Sequence, residues 1–385
     1  MDSIKVKVFL ENYIFPVFSF VNRFFKHDDR RILFYINSSF RESSKVLYDY
    51  MIRTGINRYY HITVSCADYK ILSEQNKEDN VSFVCLKKGF FEFFKTKYIY
   101  YSIGRIPVFP AKDQFVMQMW HGVPLKDADK GLKLTHTPKH RYYTWLLSPS
   151  EFLKPVYSKW FSYPEDGIYV GGYPRCDLLF EQSEPYAFGD YKKLVIWVPT
   201  FRKSIRGMSD VNESDNIIPI LATKDFKAFN DFLQSVGVKV IVKLHPEQDL
   251  SNYNLVDMQN FILLSHQEFV KKNMNLYLLM KQCDAMITDY SSVYFDYMLL
   301  NRPIAFTVDD IKDYGEKRGF ALDPSKFMPG HKMQTLDDIK TFIYSVSQGQ
   351  DECKEDREEI NKLINQYPEG NYCKRIVEFS NLVTE

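Results

Sequence analysis

Short apolar runs alternate along this chain with segments whose apolar positions recur every three to four residues, the signatures of buried strands and amphipathic helices. RRILFYINSS predicts a strand, SSKVLYDYMIRTG a helix stopping at Gly55, and YYHITVSC a second strand. VSFVCLK, KYIYYS, QFVMQMW and TWLLS predict further strands, EFLKPVYSKWF a helix, and GIYVGG a closing strand. The polar, turn-rich stretch EQSEPYAFGDYK (181–192) breaks the alternation and reads as a linker. A second series follows: strands KLVIWVPTF, VKVIVKL, FILLS, AMIT and PIAFTV, with DFKAFNDFLQSVG as the best-defined helix.

Apolar strands joined by helices belong in parallel sheets covered on both faces. Two such series predict an α/β protein of two Rossmann-like domains facing across a cleft. Their ranges are 29–185 and 186–385, with the last helix able to cross back. Residues 1–28 form a separate N-terminal helix whose apolar positions include Leu10, Tyr13, Val17, Phe20, Val21 and Phe24. Pro16 should kink or split it. Two readings stay open: a helix lying in a lipid interface, with Arg23, Lys26, Arg30 and Arg31 at the headgroups, or a helix packed on its own domain. No segment reaches the ~18 uninterrupted apolar residues of a membrane span.

Composition narrows the classes. A 45% apolar and 26% charged chain of 385 residues is globular and long enough for two cores. A net charge of +1 excludes a polycationic nucleic-acid binder, so no nucleic-acid partner is expected. The six cysteines are scattered, with no zinc spacing, as thiols of a reducing cytoplasm would be. Neither a P-loop, nor a GxGxxG fingerprint, nor a GxSxG elbow is present.

Ligands in doubly wound sheets bind beyond the carboxyl ends of strands, so the strand-end residues are the candidates. In AMITDYSSVYFDYMLLNRPIAF the strand ends at Thr288 and a helix is expected around Ser291, capped by Tyr290 or Ser291. Its free N–H groups and the hydroxyls of Ser291 and Ser292 suit a phosphate. Asp289 would repel one, and reads instead as a cap or as a ligand for a hydroxyl or a cation. In VKVIVKLHPEQD, Pro246 holds His245 extended at a strand end, where imidazole can donate to phosphate or protonate a leaving group. Lys243 lies on the same side of that strand. In QFVMQMWHGVPLKDADKG a strand ends at Trp120-His121-Gly122, and Gly122 permits a sharp turn beside His121. From Lys126 to Arg141, five cations (Lys126, Lys130, Lys133, Lys139, Arg141) face two carboxylates (Asp127, Asp129), a net +3 suited to an anionic partner. Arg202, Lys203 and Arg206 follow the first strand of the second series, and GGYPRCD places Arg175 and Asp177 at the end of the first.

WHGVPLK, GGYPRCD, PTFR, KLHPE, TDYSSVYFDYMLLNRPIAF and RGFALDPSKFMPG occur in the order seen in the CDP-glycerol glycerophosphotransferases of teichoic-acid and capsule synthesis, which this chain resembles over about residues 100 to 345. The resemblance implies a GT-B fold with an N-terminal acceptor domain and a C-terminal donor domain. It implies transfer of glycerol phosphate from CDP-glycerol to a hydroxyl of a lipid-linked acceptor, releasing CMP, by a peripheral enzyme at the cytoplasmic face of the membrane. His121 and His245 would be catalytic, with His121 the general base. Arg202, Lys243, Asp289, Ser291, Ser292 and Arg318 would serve the donor. Trp120, Gly122, Lys126 and Arg175 would serve the acceptor side. The loops at Arg318 and at Pro329-Gly330-His331 would lie near the donor. No acidic cluster calls for a metal, so no cofactor is expected. CDP-ribitol as donor, a sugar-nucleotide glycosyltransferase, an epimerase and a non-catalytic membrane scaffold remain as alternatives.

Overall fold

The structure is a computed structural model and describes residues 10–127, 142–200, 218–244 and 258–383. Among these residues thirteen strands form two sheets, each parallel throughout. In the first, β1 (Asp28–Tyr35), β2 (His61–Ser65), β3 (Val81–Val84), β4 (Thr96–Tyr101), β5 (Phe115–Gln118), β6 (Trp145–Ser148) and β7 (Ile168–Val170) lie in the order β3-β2-β1-β4-β5-β6-β7. In the second, β8 (Lys193–Val198), β9 (Val238–Lys243), β10 (Phe261–Leu264), β11 (Ala285–Thr288), β12 (Ile304–Thr307) and β13 (His331–Met333) lie in the order β10-β9-β8-β11-β12-β13. Both orders reverse direction once, between β1 and β4 and between β8 and β11. Those are the switch points where doubly wound sheets open a crevice.

The strands are apolar because both faces are covered. Ile32, Leu33 and Phe34 are consecutive on β1 and all fully buried, as are Ile196 and Trp197 on β8. Each such side chain contributes about 1.5–3 kcal/mol on burial. The helices present one apolar stripe each. In Phe226–Val236 the buried residues are Phe226, Phe229 and Leu233, and Gly237 ends the helix at φ +70. Helix His266–Lys271 starts with a complete Ser265/Glu268 capping box.

Two compact units result: Met1–Gly122, Thr135–Leu178 and Glu369–Glu385 form one, and Val123–Leu134 with Leu179–Pro368 form the other. The chain therefore changes unit immediately after Trp120-His121-Gly122. The helix Tyr372–Phe379 belongs to the first unit. Phe379 stacks on Tyr169 with centroids 3.7 Å apart, Tyr100 Oη donates to Ser380 Oγ, and Asp177 accepts from the amides of Tyr372 and Cys373, both at 2.8 Å. Asp177 thus caps this helix. Gly172, at φ +75, lies under the Tyr372 ring, which a Cβ would strike at 2.2 Å.

The N-terminal helix runs from Phe15 to Asn22, with Pro16 in its first turn and a π-helical turn, Leu10–Ile14, before it. It packs on the first unit through Phe18, 5.3 Å from Phe90 and 6.0 Å from Phe94, and through its polar side. Ser19 Oγ accepts from the Phe109 amide, and Asn22 Nδ2 donates to Phe109 O and Gln114 Oε1. The expected loop at Pro329-Gly330-His331 is different: His331–Met333 is the edge strand β13, too short and polar to read from the sequence. All six cysteines are free thiols.

Candidate active site

Strand β5 delivers the motif Trp120-His121-Gly122 at its carboxyl end. Trp120 takes φ +57, unusual for a bulky residue, and Gly122 takes φ +149, a region that L side chains avoid. This tight turn lays the Trp120 ring against His121, with centroids 3.8 Å apart. Phe161 and Trp160 brace the indole at 4.8 and 5.6 Å. His121 is exposed to solvent at this turn, with protein packed around the rest of its ring. Desolvation by that surrounding, and next the nearby Arg175 guanidinium, lower the imidazole pKa to about 4. His121 is therefore neutral at pH 7, with a ring nitrogen free of a proton, as a general base requires.

Arg175 lies in the 3-10 segment Pro174–Leu179 that follows β7. It is buried, its guanidinium is 4.8 Å from the Tyr173 ring centroid, and Glu42 Oε2 lies 3.9 Å from Nη1. Glu42 begins the helix Glu42–Arg53 with φ +55. The carboxyl ends of β5 and β7 and the start of this helix thus bring a base and a buried cation together. The buried pair Tyr157 and Tyr173 adds to this group, since Tyr157 Oη donates to Gly122 O at 3.1 Å.

In the second unit the switch point holds a different arrangement from the one expected. Asp289 is fully buried, and its carboxylate accepts from the Thr200 amide at 3.0 and 3.1 Å and from the Thr200 hydroxyl at 2.7 Å. It ties the end of β11 to the end of β8, its carboxylate accepting from a hydroxyl as one of the expected readings had it. Thr288 Oγ1 reinforces this by donating to Val198 O at 2.7 Å. The helix spans Val293–Tyr297 and begins two residues later than expected, with Ser292 at the N-cap. Ser292 makes no side-chain cap bond. Ser291 and Ser292 are half-buried. Neither hydroxyl has a hydrogen-bond partner among the described residues, so both can meet a ligand oxygen.

The remaining candidates divide. Lys243 Nζ donates to Leu244 O at 3.0 Å and sits 5.4 Å from the Phe269 ring centroid. Arg318 follows the helix Ile311–Lys317, its amide bonded to Tyr314 O. Beyond it Gly319-Phe320-Ala321 pairs with Leu125-Lys126-Asp127: Asp127 N donates to Gly319 O at 3.1 Å and Ala321 N to Leu125 O at 2.8 Å. Lys126, expected on the acceptor side, thus belongs to the second unit, its Nζ 5.6 Å from the Tyr314 ring centroid. Tyr314 in turn stacks on Tyr290, whose hydroxyl donates to Asp310 at 2.7 Å. His245, Arg202, Lys203, Arg206, Lys130, Lys133, Lys139, Arg141 and Asp129 lie outside the described residues. Among the described residues no cluster of three His, Cys, Asp or Glu forms a metal-binding group.

Sequence reasoning missed Thr200, Glu42, Tyr157 and Tyr173. Thr200 and Tyr173 stand inside the motifs PTFR and GGYPRCD. Their partners, Asp289 and Tyr157, lie outside those motifs, and only the fold joins them.

Similar proteins agree with this architecture. A Bacillus spizizenii teichoic acid poly(glycerol phosphate) polymerase is 24% identical over 348 residues, covering 81% of this chain and 83% of its own length. A poly(ribitol-phosphate) polymerase of that organism is 26% identical over 296 residues, or 72% of this chain, which spans only 46% of it. A ribitol-phosphate polymerase of Staphylococcus aureus is 26% identical over 59% of this chain, which spans 41% of that protein. The chain thus spans less than half the length of several of its relatives. Among solved structures, a histidine-to-alanine variant of the wall teichoic acid polymerase TagF superposes with a TM-score of 0.72 at 19% identity, covering 98% of this chain and 94% of that one. A UDP-N-acetylglucosamine 2-epimerase described as putative, from Listeria monocytogenes, shares the fold at a TM-score of 0.51 and 11% identity, covering 92% and 97%. These likenesses establish a GT-B-like fold of two parallel-sheet units. Residues 17–380 match the family of CDP-glycerol:poly(glycerophosphate) glycerophosphotransferases, and the chain belongs to that family.

Proposed function

We propose that this protein transfers glycerol phosphate from CDP-glycerol to a hydroxyl of a lipid-linked teichoic-acid or capsule acceptor, releasing CMP. The observation that carries the reading is the His121 imidazole held in the tight Trp120–Gly122 turn at the carboxyl end of β5, in a chain of this family. His121 takes the acceptor hydroxyl proton. The acceptor oxygen attacks the distal phosphorus, the bond from that phosphorus to the bridging oxygen breaks, and CMP leaves with the electron pair. The second unit holds the diphosphate through Ser291, Ser292 and Arg318, joined by His245 and Arg202. Transfer proceeds without a metal, and a chelator leaves the rate unchanged.

An exposed aromatic face supports the lipid-linked acceptor. The N-terminal helix buries its polar residues Ser19 and Asn22 and exposes Phe20 at 59%, with Phe24, just past its end, at 74%. Arg23 and Lys26 flank them. This inverted face fits the acyl-headgroup boundary of an anionic bilayer. The protein is then peripheral, at the cytoplasmic face; no helix among the described residues is long and apolar enough to cross a membrane.

CDP-ribitol is the second reading, favoured by the similarity to ribitol-phosphate polymerases. The test is nucleotide release from CDP-glycerol, CDP-ribitol and UDP-sugars in the presence of a lipid-linked acceptor analogue. CMP from CDP-glycerol, lowered at least ~10²-fold in His121→Ala while donor binding persists, is the expected result. Release of UDP, or of no nucleotide at all, overturns the proposal. CMP from CDP-ribitol alone moves the donor to ribitol.

A further inference from the structure

Beneath the turn that carries His121, two buried phenols meet. Tyr157, on the helix Lys154–Phe161, is fully enclosed, and so is Tyr173, in the loop after β7. Tyr157 Oη donates to Gly122 O at 3.1 Å, and the Tyr157 and Tyr173 hydroxyls are in direct hydrogen-bond contact. A carbonyl oxygen can only accept, so the Tyr157 proton points to Gly122. The Tyr173 proton then points to the Tyr157 oxygen. The result is a directed chain, Tyr173 to Tyr157 to Gly122, in which each bond polarises the next. It ties two separate segments to one peptide, Gly122–Val123, one residue beyond His121. Gly122 sits at φ +149, so nothing in its own conformational preference holds that carbonyl in place. The Tyr157 ring also packs 5.8 Å from Phe161, which braces Trp120.

We propose that Tyr157 and Tyr173 are positioning residues for His121: the hydroxyl chain fixes the Gly122 carbonyl and thereby the aim of the imidazole. This rests on the reading of His121 as the acceptor base. A purely structural pair would matter for stability alone. A positioning pair governs how the folded protein turns over, because a displacement of ~1 Å at a reacting group costs on the order of 10²-fold in rate.

The test uses Tyr157→Phe, Tyr173→Phe and the double variant in the full chain, with two readouts. The first is CMP release from CDP-glycerol. Each single variant lowers kcat by about 10-fold or more with the donor KM within about twofold, and the double variant is no worse than Tyr157→Phe, because one chain is cut either way. The second needs no activity: nuclear magnetic resonance titration of the His121 ring. Loosening the turn relaxes the packing that desolvates the ring and its placement near Arg175, so its titration midpoint rises toward the ordinary value in both single variants. Tyr173→Phe leaves the Tyr157 to Gly122 bond in place, and so still reports on the chain if Tyr157→Phe misfolds. An unchanged His121 titration together with kcat within twofold of the parent, or strictly additive losses, overturns the inference. If His121→Ala keeps full turnover while the titrations shift, the base assignment fails and the positioning of the ring stands.

Discussion

Asp289 and its serine neighbours show two chemistries side by side at one strand end. The sequence places an acid and two hydroxyls beyond AMIT and identifies the junction, but not which member is tied into the fold. The answer depends on Thr200, almost ninety residues away in sequence and adjacent in the sheet because β8 pairs with β11. Removing the Asp289 carboxylate leaves the Thr200 amide and hydroxyl without their acceptor. Asp289→Ala should therefore destabilise the protein by roughly 2–4 kcal/mol, read as a fall in thermal midpoint. Ser291→Ala with Ser292→Ala should change stability by no more than about 0.5 kcal/mol and weaken donor binding, read by calorimetric titration. The reverse pattern would restore Asp289 as the ligand. His121 is the residue whose position the sequence did give, through Trp120-His121-Gly122. Its environment comes from Arg175 and the packing. The imidazole pKa falls from its ordinary 6.5 to about 4, so the neutral base persists below pH 6.5. The acid limb of kcat/KM should lie nearer 4 than 6.5, and a profile bending at 6.5 would remove His121 as base. The sign for stability is the same. Because the folded value is depressed, the contribution is present above pH 6.5 and is lost as pH falls toward 4.

At the scale of elements, period and punctuation were enough for twelve of the thirteen strands among the described residues, because strands buried on both faces are unbroken apolar runs. β13 escaped because its three residues, His-Lys-Met, form a polar edge. The N-terminal helix shows the limit of periodicity in another way. Its apolar stripe was legible, but the pattern alone left open whether that stripe faces the core or a lipid interface. Instead, Ser19, Asn22, His27 and Gln114 form a polar clasp that holds the opposite side down, with His27 Nδ1 2.9 Å from both Asp113 carboxylate oxygens. Phe20 and Phe24 are left facing out, 5.1 Å apart. Replacing both with Glu should abolish sedimentation with phosphatidylglycerol vesicles while leaving the thermal midpoint within about 1 °C, since neither ring contributes to the core. Binding that survives the double substitution would place the membrane surface elsewhere.

At the scale of the whole molecule, the two apolar series gave two parallel sheets, because each strand–helix unit is local in sequence. Their membership was harder to read. The chain leaves the first unit just past Gly122 to pair Lys126 with Phe320, and the helix Tyr372–Phe379 lies in the first unit although its sequence follows the second series. That the last helix could cross back was open from the sequence, but the crossing after Gly122 has no local signal, since it depends on which distant surface accepts a side chain. The returning helix can be tested through Phe379, which stacks on Tyr169 at 3.7 Å and meets Trp145 at 4.8 Å and Phe115 at 5.9 Å, all three rings on first-unit strands. Phe379→Ala opens a cavity against β5, β6 and β7 and should cost roughly 2–4 kcal/mol, within the range for losing a partly buried aromatic ring. The cost should fall on one unit. Hydrogen exchange followed by mass spectrometry should show faster exchange in peptides covering β4 to β7, with peptides covering β8 to β12 unchanged, because the second unit's core, built around Trp197, Phe229 and Ile287, contains no residue that Phe379 touches. Equal acceleration in both sheets would mean that the two units unfold as one. No acceleration in either would mean that the terminal helix is not part of the first unit's core.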